Sequence, residues 1–173
     1  MPKGDERTAH GHHHPQSPNV MWGTDGTRIL TVDDGYVWLF TAVEHWNRVC
    51  LGWHVAKYRS RYAAVEPISM GVGEVYGNIL ACVGRGLSLR LGHGTQYLSD
   101  HFLNRAKYWD IQPSFAFVSQ PKTNGVAERC NRTLKEQAIY GRVFENIGDV
   151  RIAVREFFKK YNEQWLVAKL GYR

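Results

Sequence analysis

The chain has 173 residues, of which 43% are hydrophobic, and it carries a formal net charge of +6. This length suits one domain with a buried core, and no run of about 18 apolar residues is present that could cross a membrane. The three cysteines, Cys50, Cys82 and Cys130, are odd in number and far apart. This pattern argues against a disulfide framework or a zinc knuckle, and it predicts buried thiols in a reducing compartment.

Residues 1–20 are polar and contain no apolar core segment, so their pattern is not that of a secretory signal. We predict a flexible N-terminal arm over residues 1–20 and a single domain over residues 21–173. The run HGHHH at residues 10–14 could bind a transition metal. The run offers no cysteine or carboxylate as a further ligand, so an ordinary polar tail is the better interpretation.

Strand-like segments rich in aromatic and β-branched residues come first along the chain, and helical patterns then alternate with strands. Asp33, Asp34 and Gly35 predict a hairpin turn, and Ser60 is a helix-capping residue, although Pro67 weakens the helix that follows it. We predict strands at residues 19–30, 36–43, 48–56, 86–92 and 111–118, and helices at 60–77, 99–109 and, from about 124, two more separated near 146–149. This order predicts an α/β fold, in which a mixed sheet is covered by helices on both faces.

A single carboxylate interrupts the first predicted strand. In WGTDGTRI, Asp25 stands between small and polar residues, where a charge has little structural reason to be. If this strand is central in the sheet, the charge of Asp25 must be paired or bound to a metal. The sequence TDGT is also acceptable β-turn chemistry, so Asp25 alone does not decide between the two interpretations.

A second candidate lies on the helix predicted from Val126. Glu128, Arg132 and Lys135 are spaced at offsets of four and seven, so they share one face of that helix. An exposed i,i+4 ion pair would explain the same spacing. From Pro121 to the end, eleven Lys or Arg residues stand against six Asp or Glu residues. This excess fits either a nucleic-acid-binding face or a solvated surface.

Four stretches taken together resemble one protein family: WGTDGT, LRLGHGTQYLSDHF, PKTNGVAERCNRTLKEQ and FFKKYNEQWL. In this order they resemble the catalytic core of insertion-sequence transposases related to retroviral integrases, the DDE group with a ribonuclease-H-like fold. The resemblance extends over nearly all of residues 21–173. It implies a mixed five-stranded sheet and a function in DNA integration or transposition. It also implies a core that is C-terminally truncated and lacks a DNA-reading module upstream.

The resemblance further implies a catalytic set. The family has an Asp in the first strand, an Asp just after the fourth strand and a Glu on a following helix, which correspond to Asp25, position 92 and Glu128. Thirty-five residues separate position 92 from Glu128, as in the family, but position 92 is Gly92. Carboxylates suit the Mg²⁺ or Mn²⁺ ions that assist phosphodiester hydrolysis and strand transfer. We therefore expect Asp25 and Glu128 to bind metal weakly. His93 and Asp100 are poor substitutes, because imidazole suits Mg²⁺ badly and Asp100 lies at a helix start.

By the same resemblance, Lys135, Arg132, Asn124 and Gln96 are candidate DNA contacts. We expect them to bind phosphates with an affinity that falls with salt, in a cytoplasmic, nucleoid-associated bacterial protein that forms homo-oligomers on DNA and has no membrane partner. Two functions remain open: a transposase catalytic domain impaired by Gly92, and a catalytically dead remnant of a mobile element that binds DNA and self-associates. A ribonuclease-H-like nuclease acting on RNA–DNA hybrids is a weaker alternative.

Overall fold

A computed structural model describes residues 15–115 and 124–169, with side chains described up to residue 164. The strands are β1 (Met21–Thr31), β2 (Gly35–Glu44), β3 (Cys50–Ala56), β4 (Ser88–Leu91) and β5 (Gln112–Phe115). The helices are α1 (Arg61–Tyr76), α2 (Asp100–Tyr108), α3 (Gly125–Leu134) and α4 (Ile147–Lys169), with a 3₁₀ helix at Thr95–Leu98 and a π-helical turn at Lys135–Ile139. The predicted first and last residues of the strands, of α1 and of α2 mostly agree with the observed ones within one or two residues. The end of the fifth predicted strand, residues 116–118, lies outside the described residues.

The strands form one mixed sheet in the order β3-β2-β1-β4-β5. β1, β2 and β3 pair antiparallel, whereas β4 pairs parallel with both β1 and β5. One core, which includes Trp22, Phe40 and Leu89, packs against α1 and α2, and a second core, which includes Ile29 and Leu39, packs against α3 and α4. The predicted α/β fold, a mixed five-stranded sheet with helices on both faces, is therefore confirmed.

α1 runs without a break through Pro67, although the sequence predicted a weakened helix there. Ser60 caps the start of α1 as predicted, because its Oγ accepts a hydrogen bond from the Ala63 N–H at 3.0 Å. Pro67 is buried against β3, where Gly52 leaves room for it, since a Cβ at position 52 would collide with the Pro67 carbonyl. The packing of α1 on the sheet therefore outweighs the backbone hydrogen bond that proline removes.

β3 is an edge strand, and α4 covers part of its backbone. Asn162 bonds both backbone groups of Cys50, since its Oδ1 accepts from the Cys50 N–H at 2.9 Å and its Nδ2 donates to the Cys50 carbonyl at 3.0 Å. Farther along the strand, Arg151 donates to the Val55 carbonyl at 3.0 Å. These side chains satisfy edge groups that would otherwise be open to another strand.

Asn162→Ala should therefore lower the free energy of unfolding by about 1–3 kcal/mol, because two backbone groups of Cys50 lose their partners. Glu163→Ala, an exposed neighbour on α4, is the matched control and should change stability by less than about 0.5 kcal/mol. Urea unfolding followed by tryptophan fluorescence measures both variants. Equal effects of the two substitutions would contradict this role of Asn162.

The cysteines divide into two groups. Cys50 and Cys130 are buried as predicted, whereas Cys82 is exposed, so the prediction for Cys82 is wrong. Cys82 lies in the turns between α1 and β4, outside both cores, with a positive φ of 61°. The apolar character of a free cysteine favours burial, but Cys82 lies in these turns at the surface.

The predicted N-terminal arm is only partly described, because residues 1–14, with the HGHHH run, lie outside the described residues. The Asn19 N–H donates to Glu44 Oε1 at 3.0 Å, and the Ser88 N–H donates to the Val20 carbonyl at 3.0 Å. Asn19 and Val20 therefore belong with the domain. In the part of the chain that the structure describes, no helix is both long and apolar enough to cross a lipid bilayer.

Candidate active site

Asp25 lies in the middle of β1, and its direct cross-strand neighbour on β2 is Thr41. α3 packs on both strands through a buried side that includes Ala127 and Asn131. Glu128 is exposed on the same helix, and its charge acts on the Asp25 carboxyl group. The structure therefore brings the two predicted acidic residues together.

Gly92 directly follows β4, the strand next to β1, and a side chain at this position would meet Asp25. A Cβ placed on Gly92 would lie 2.7 Å from Asp25 Oδ1, 3.2 Å from the Tyr97 ring and 3.5 Å from the Thr24 carbonyl oxygen. The Gly92 backbone is not in the left-handed region, so its conformation accepts any L-residue. Position 92 thus shares the site with Asp25, although it supplies no ligand atom.

The surroundings of Asp25 raise the pKa of its carboxyl group above the ordinary value. Burial raises the pKa of the Asp25 carboxyl most, and the charge of Glu128 raises it further. The Gly26 N–H, the Asn131 amide and the charge of His93 lower it, and the resulting pKa is about 6. A bound cation would oppose both of the effects that raise this pKa. A bound cation would therefore stabilise the ionised form of Asp25.

The donor atoms of the site suit one divalent cation. The carboxylate oxygens of Asp25 and Glu128 are hard ligands of the kind that Mg²⁺ and Mn²⁺ accept. Within residues 15–115 and 124–169, no group of three or more His, Cys, Asp or Glu side chains could hold a metal ion. In ligand chemistry the two carboxylates suit one cation with water and phosphate oxygens as its further ligands, whereas a second ion would need the ligand that Gly92 does not supply.

Lys135 and Arg28 place positive charge beside the carboxylates. Burial lowers the pKa of the half-buried Lys135 ammonium group, the charge of Arg28 lowers it further, and Asp25 raises it. Arg132 is exposed on α3. A phosphate group next to Lys135 and Arg28 would relieve their mutual repulsion, so this arrangement suits a polyanion.

Comparisons with known proteins show what the chain is similar to. Residues 109–173 match the family model of the integrase core domain. The chain is 22% identical over 148 residues to the transposase InsF for insertion sequence IS3A of Escherichia coli (strain K12). This alignment covers 86% of this chain and 49% of that protein. The chain is also 24% identical over 161 residues to the transposase for insertion sequence element IS904 of Lactococcus lactis subsp. lactis (strain IL1403). This alignment covers 91% of this chain and 60% of that protein. The chain thus spans about half the length of the curated relatives it matches.

Solved structures share the fold. The simian T-cell lymphotropic virus intasome in complex with PP2A regulatory subunit B56 gamma aligns with a TM-score of 0.60 and 18% identity, over 72% of this chain and 41% of that one. The HTLV-2 integrase catalytic core domain in complex with magnesium, in its trimeric form, aligns with a TM-score of 0.53 and 18% identity, over 69% and 68%. The chain thus shares its fold with integrase catalytic cores. This fold is ribonuclease-H-like, as predicted.

Asn124 and Gln96 do not present their side chains to solvent. Asn124 is 1% exposed, and its Nδ2 donates to the Thr24 carbonyl at 3.1 Å. Gln96 is 8% exposed, and its amide packs so closely on Gly94 that a Cβ there would collide with it. Both amides are thus covered by the protein in this structure, and the DNA contacts expected of them stay predictions.

Three polar residues, Asn131, Thr41 and Tyr97, surround Asp25, and the sequence did not predict that they would meet there. Asn131 lies three residues after Glu128 on α3, a spacing that indicates a shared helix face. Thr41 is a polar residue within the apolar run of β2. Because side chains alternate between the two faces of a strand, Thr41 lies on the same face of the sheet as Asp25. Tyr97 is buried behind Gly92, and burial and the charge of Asp25 raise its pKa well above the ordinary value. The sequence marks Tyr97 only as part of the stretch LRLGHGTQYLSDHF, which carries the resemblance, and not as a neighbour of Asp25.

Proposed function

We propose that this chain is an integrase-type catalytic domain of a transposase that acts on DNA by metal-assisted phosphodiester hydrolysis and strand transfer, and that Gly92 impairs this chemistry. The proposal rests on the convergence of Asp25, Glu128 and position 92 at one site. The similarity to two transposases over most of this chain supports DNA as the substrate.

Each site residue has a separate role in the proposed reaction. Bound Mg²⁺ or Mn²⁺ would lower the pKa of the attacking water or 3′ hydroxyl and neutralise charge on the phosphate. Asp25 and Glu128 would hold the cation. Lys135 and Arg28 bind phosphate oxygens and so orient the scissile phosphodiester, and Arg132 extends this contact along α3. Because position 92 leaves the site one carboxylate short, we expect the reaction to be slow.

Self-association on DNA is part of the proposal, and a nucleoid-associated location would follow from DNA binding. An intasome and the dimeric and trimeric forms of an integrase catalytic core are among the structures with this fold. Light scattering of the chain with increasing amounts of duplex DNA measures its mass in the complex. A chain that stays monomeric on DNA at every concentration would contradict this part.

Lys135→Ala should weaken DNA binding several-fold and reduce the slope of log affinity against log salt by about one, because one phosphate contact is lost. The matched control is Lys107→Ala, which removes an exposed lysine from α2 on the opposite face of the sheet. Fluorescence anisotropy with a labelled duplex at several salt concentrations measures both. Equal losses for the two variants would show that binding is spread over the whole surface.

The catalytically dead remnant remains a second candidate, because the described residues contain no third acidic ligand. Nicking of supercoiled plasmid with Mn²⁺, combined with a gel-shift assay, separates the two functions. An impaired enzyme nicks slowly, and Asp25→Ala abolishes the nicking. A remnant does not nick, and Asp25→Ala leaves its DNA binding intact. A chain that binds no DNA at low salt would overturn both candidates.

A further inference from the structure

Two arginines lie over two aromatic rings near the turn that joins β1 to β2. The guanidinium carbon of Arg28 is 4.3 Å from the centre of the Tyr36 ring, and that of Arg59 is 5.3 Å from the centre of the Trp38 ring. Arg28 and Trp38 are direct cross-strand neighbours, and Tyr36 lies two residues before Trp38 on the same face of β2. The four residues therefore form one continuous surface, which we call the arginine–aromatic surface.

The rings of the arginine–aromatic surface are open to solvent. Tyr36 is 49% exposed, and Trp38 is half-buried at the margin of the core that packs against α1 and α2. Next to Arg59 in the sequence, Tyr58 is 78% exposed. Exposed rings add little to the packing of a core, and their grouping on one surface is typical of a binding site.

The two arginines also keep their charges available. Among the residues that the structure describes, the ion pairs include neither Arg28 nor Arg59. Asp34, in the adjacent turn, is already paired with Lys57 at 3.1 Å. A guanidinium group that stacks on a ring keeps its N–H donors at its edge, where they can bind phosphate oxygens. The surface therefore offers aromatic faces and phosphate-binding cations side by side.

We propose that the arginine–aromatic surface binds an unpaired strand of DNA, whose bases stack on Tyr36 and Trp38 and whose phosphates contact the two arginines. The bases of a duplex are stacked on one another, so exposed aromatic rings can stack only on unpaired bases. Because Arg28 is also a phosphate contact in the proposed function, this strand would continue from the candidate active site. The inference rests on the proposed function in taking DNA as the nucleic acid, but it does not need a cation at Asp25.

The first test compares a single strand with a duplex. Fluorescence anisotropy of the full chain measures its affinity for a labelled oligothymidine of about 16 nucleotides and for a duplex of the same length. Tyr36→Leu keeps a large apolar side chain but removes the ring. It should weaken oligothymidine binding about fivefold or more, because one base loses its stacking partner, and it should leave duplex binding unchanged. Tyr36→Phe keeps the ring and should keep the parent affinity.

Tyr108→Leu is the matched control, because Tyr108 is 43% exposed and has the Arg105 guanidinium carbon 5.1 Å from the centre of its ring. This tyrosine lies on α2 beside a groove that Glu66 also lines, where a carboxylate disfavours phosphate. Both affinities should stay at the parent values. If Tyr36→Leu weakens oligothymidine binding no more than Tyr108→Leu does, or weakens duplex binding equally, the proposal is wrong.

The second test measures the charge of the surface. Arg59→Gln should reduce the slope of log affinity for oligothymidine against log salt by about 0.7, because one phosphate contact to a single strand is lost. Arg85→Gln is the control, since Asp110 already pairs with Arg85 at 2.9 Å, and it should leave the slope unchanged. An Arg59→Gln chain with the parent slope would overturn the proposal. So would Tyr36→Leu and Arg59→Gln chains that lose binding to anionic lipid vesicles and keep their affinity for oligothymidine.

Lys135→Ala separates this inference from the proposed function. It should weaken duplex binding and leave the effect of Tyr36→Leu on oligothymidine binding intact. A chain that binds oligothymidine through Tyr36 but whose duplex binding does not respond to Lys135→Ala would support the inference and count against the proposed phosphate contact at Lys135.

Discussion

Gly92→Asp is expected to raise the rate of Mg²⁺- or Mn²⁺-dependent DNA cleavage by at least about a hundredfold, which corresponds to about 2.7 kcal/mol of activation free energy. The new carboxylate would stand next to Asp25 and would complete a three-carboxylate site with Glu128. Such a site can hold a second cation at the leaving oxygen, which the parent cannot. Nicking of supercoiled plasmid under single-turnover conditions measures the rate.

The chain has room for this substitution with one local change. The closest contact of a Cβ at position 92 is the end of the Asp25 side chain, at 2.7 Å, and that end can rotate. Gly92→Asn has nearly the same size and brings no charge, so it is the matched control and should stay at the parent rate. Nicking by Gly92→Asn as fast as by Gly92→Asp would show that filling space, and not binding a cation, restores activity.

Asp25→Asn should raise the free energy of unfolding at pH 7 and above by about 2–3 kcal/mol in the absence of metal. The pKa of Asp25 rises from 3.8 to about 6 because the site is buried and lies beside Glu128. Each unit of this difference corresponds to about 1.4 kcal/mol, which the folded parent loses when Asp25 ionises. The neutral amide keeps the shape of the side chain and avoids this cost.

The pH dependence follows from the sign of the pKa change. A raised pKa in the folded state means that the folded chain binds a proton more tightly than the unfolded chain. The stability of the parent relative to Asp25→Asn should therefore rise as the pH falls from 7 toward 4, and the difference should nearly vanish below the unfolded pKa. Urea unfolding in EDTA at a series of pH values measures it. An advantage of Asp25→Asn that is the same at pH 4 and pH 8 would contradict the assigned pKa.

Local patterns in the sequence were enough to predict the frame of the site. Alternation and aromatic content marked β1, β2 and β3, and Ser99 caps α2 by accepting from the Phe102 N–H at 3.2 Å. The family resemblance, together with the spacing between position 92 and Glu128, implied a shared site, and the structure places position 92 against Asp25. These features depend on neighbours in sequence or on one motif, so they need no knowledge of packing.

The buried residues around Asp25 are held by contacts between residues that are far apart in the sequence. No local sequence pattern predicts such contacts. Asn124 turns inward because Gly23 lets it approach β1: a Cβ there would lie 3.0 Å from the Asn124 Oδ1. The link between Thr41 and Asn131 joins residues 90 positions apart. Both arrangements form only when α3 packs on the sheet, which is why the sequence does not show that the Asn124 side chain is buried.

Binding of Mn²⁺ by the metal-free chain is the most direct test of the claim that Asp25, Glu128 and position 92 form one cation site that lacks a ligand. Isothermal titration calorimetry should find weak binding in the parent and at least about tenfold tighter binding in Gly92→Asp, since a hard anionic ligand is added. The gain should disappear in Gly92→Asp combined with Glu128→Gln. A Gly92→Asp chain that binds Mn²⁺ no more tightly than the parent, or that keeps its affinity without the Glu128 carboxylate, would contradict the account.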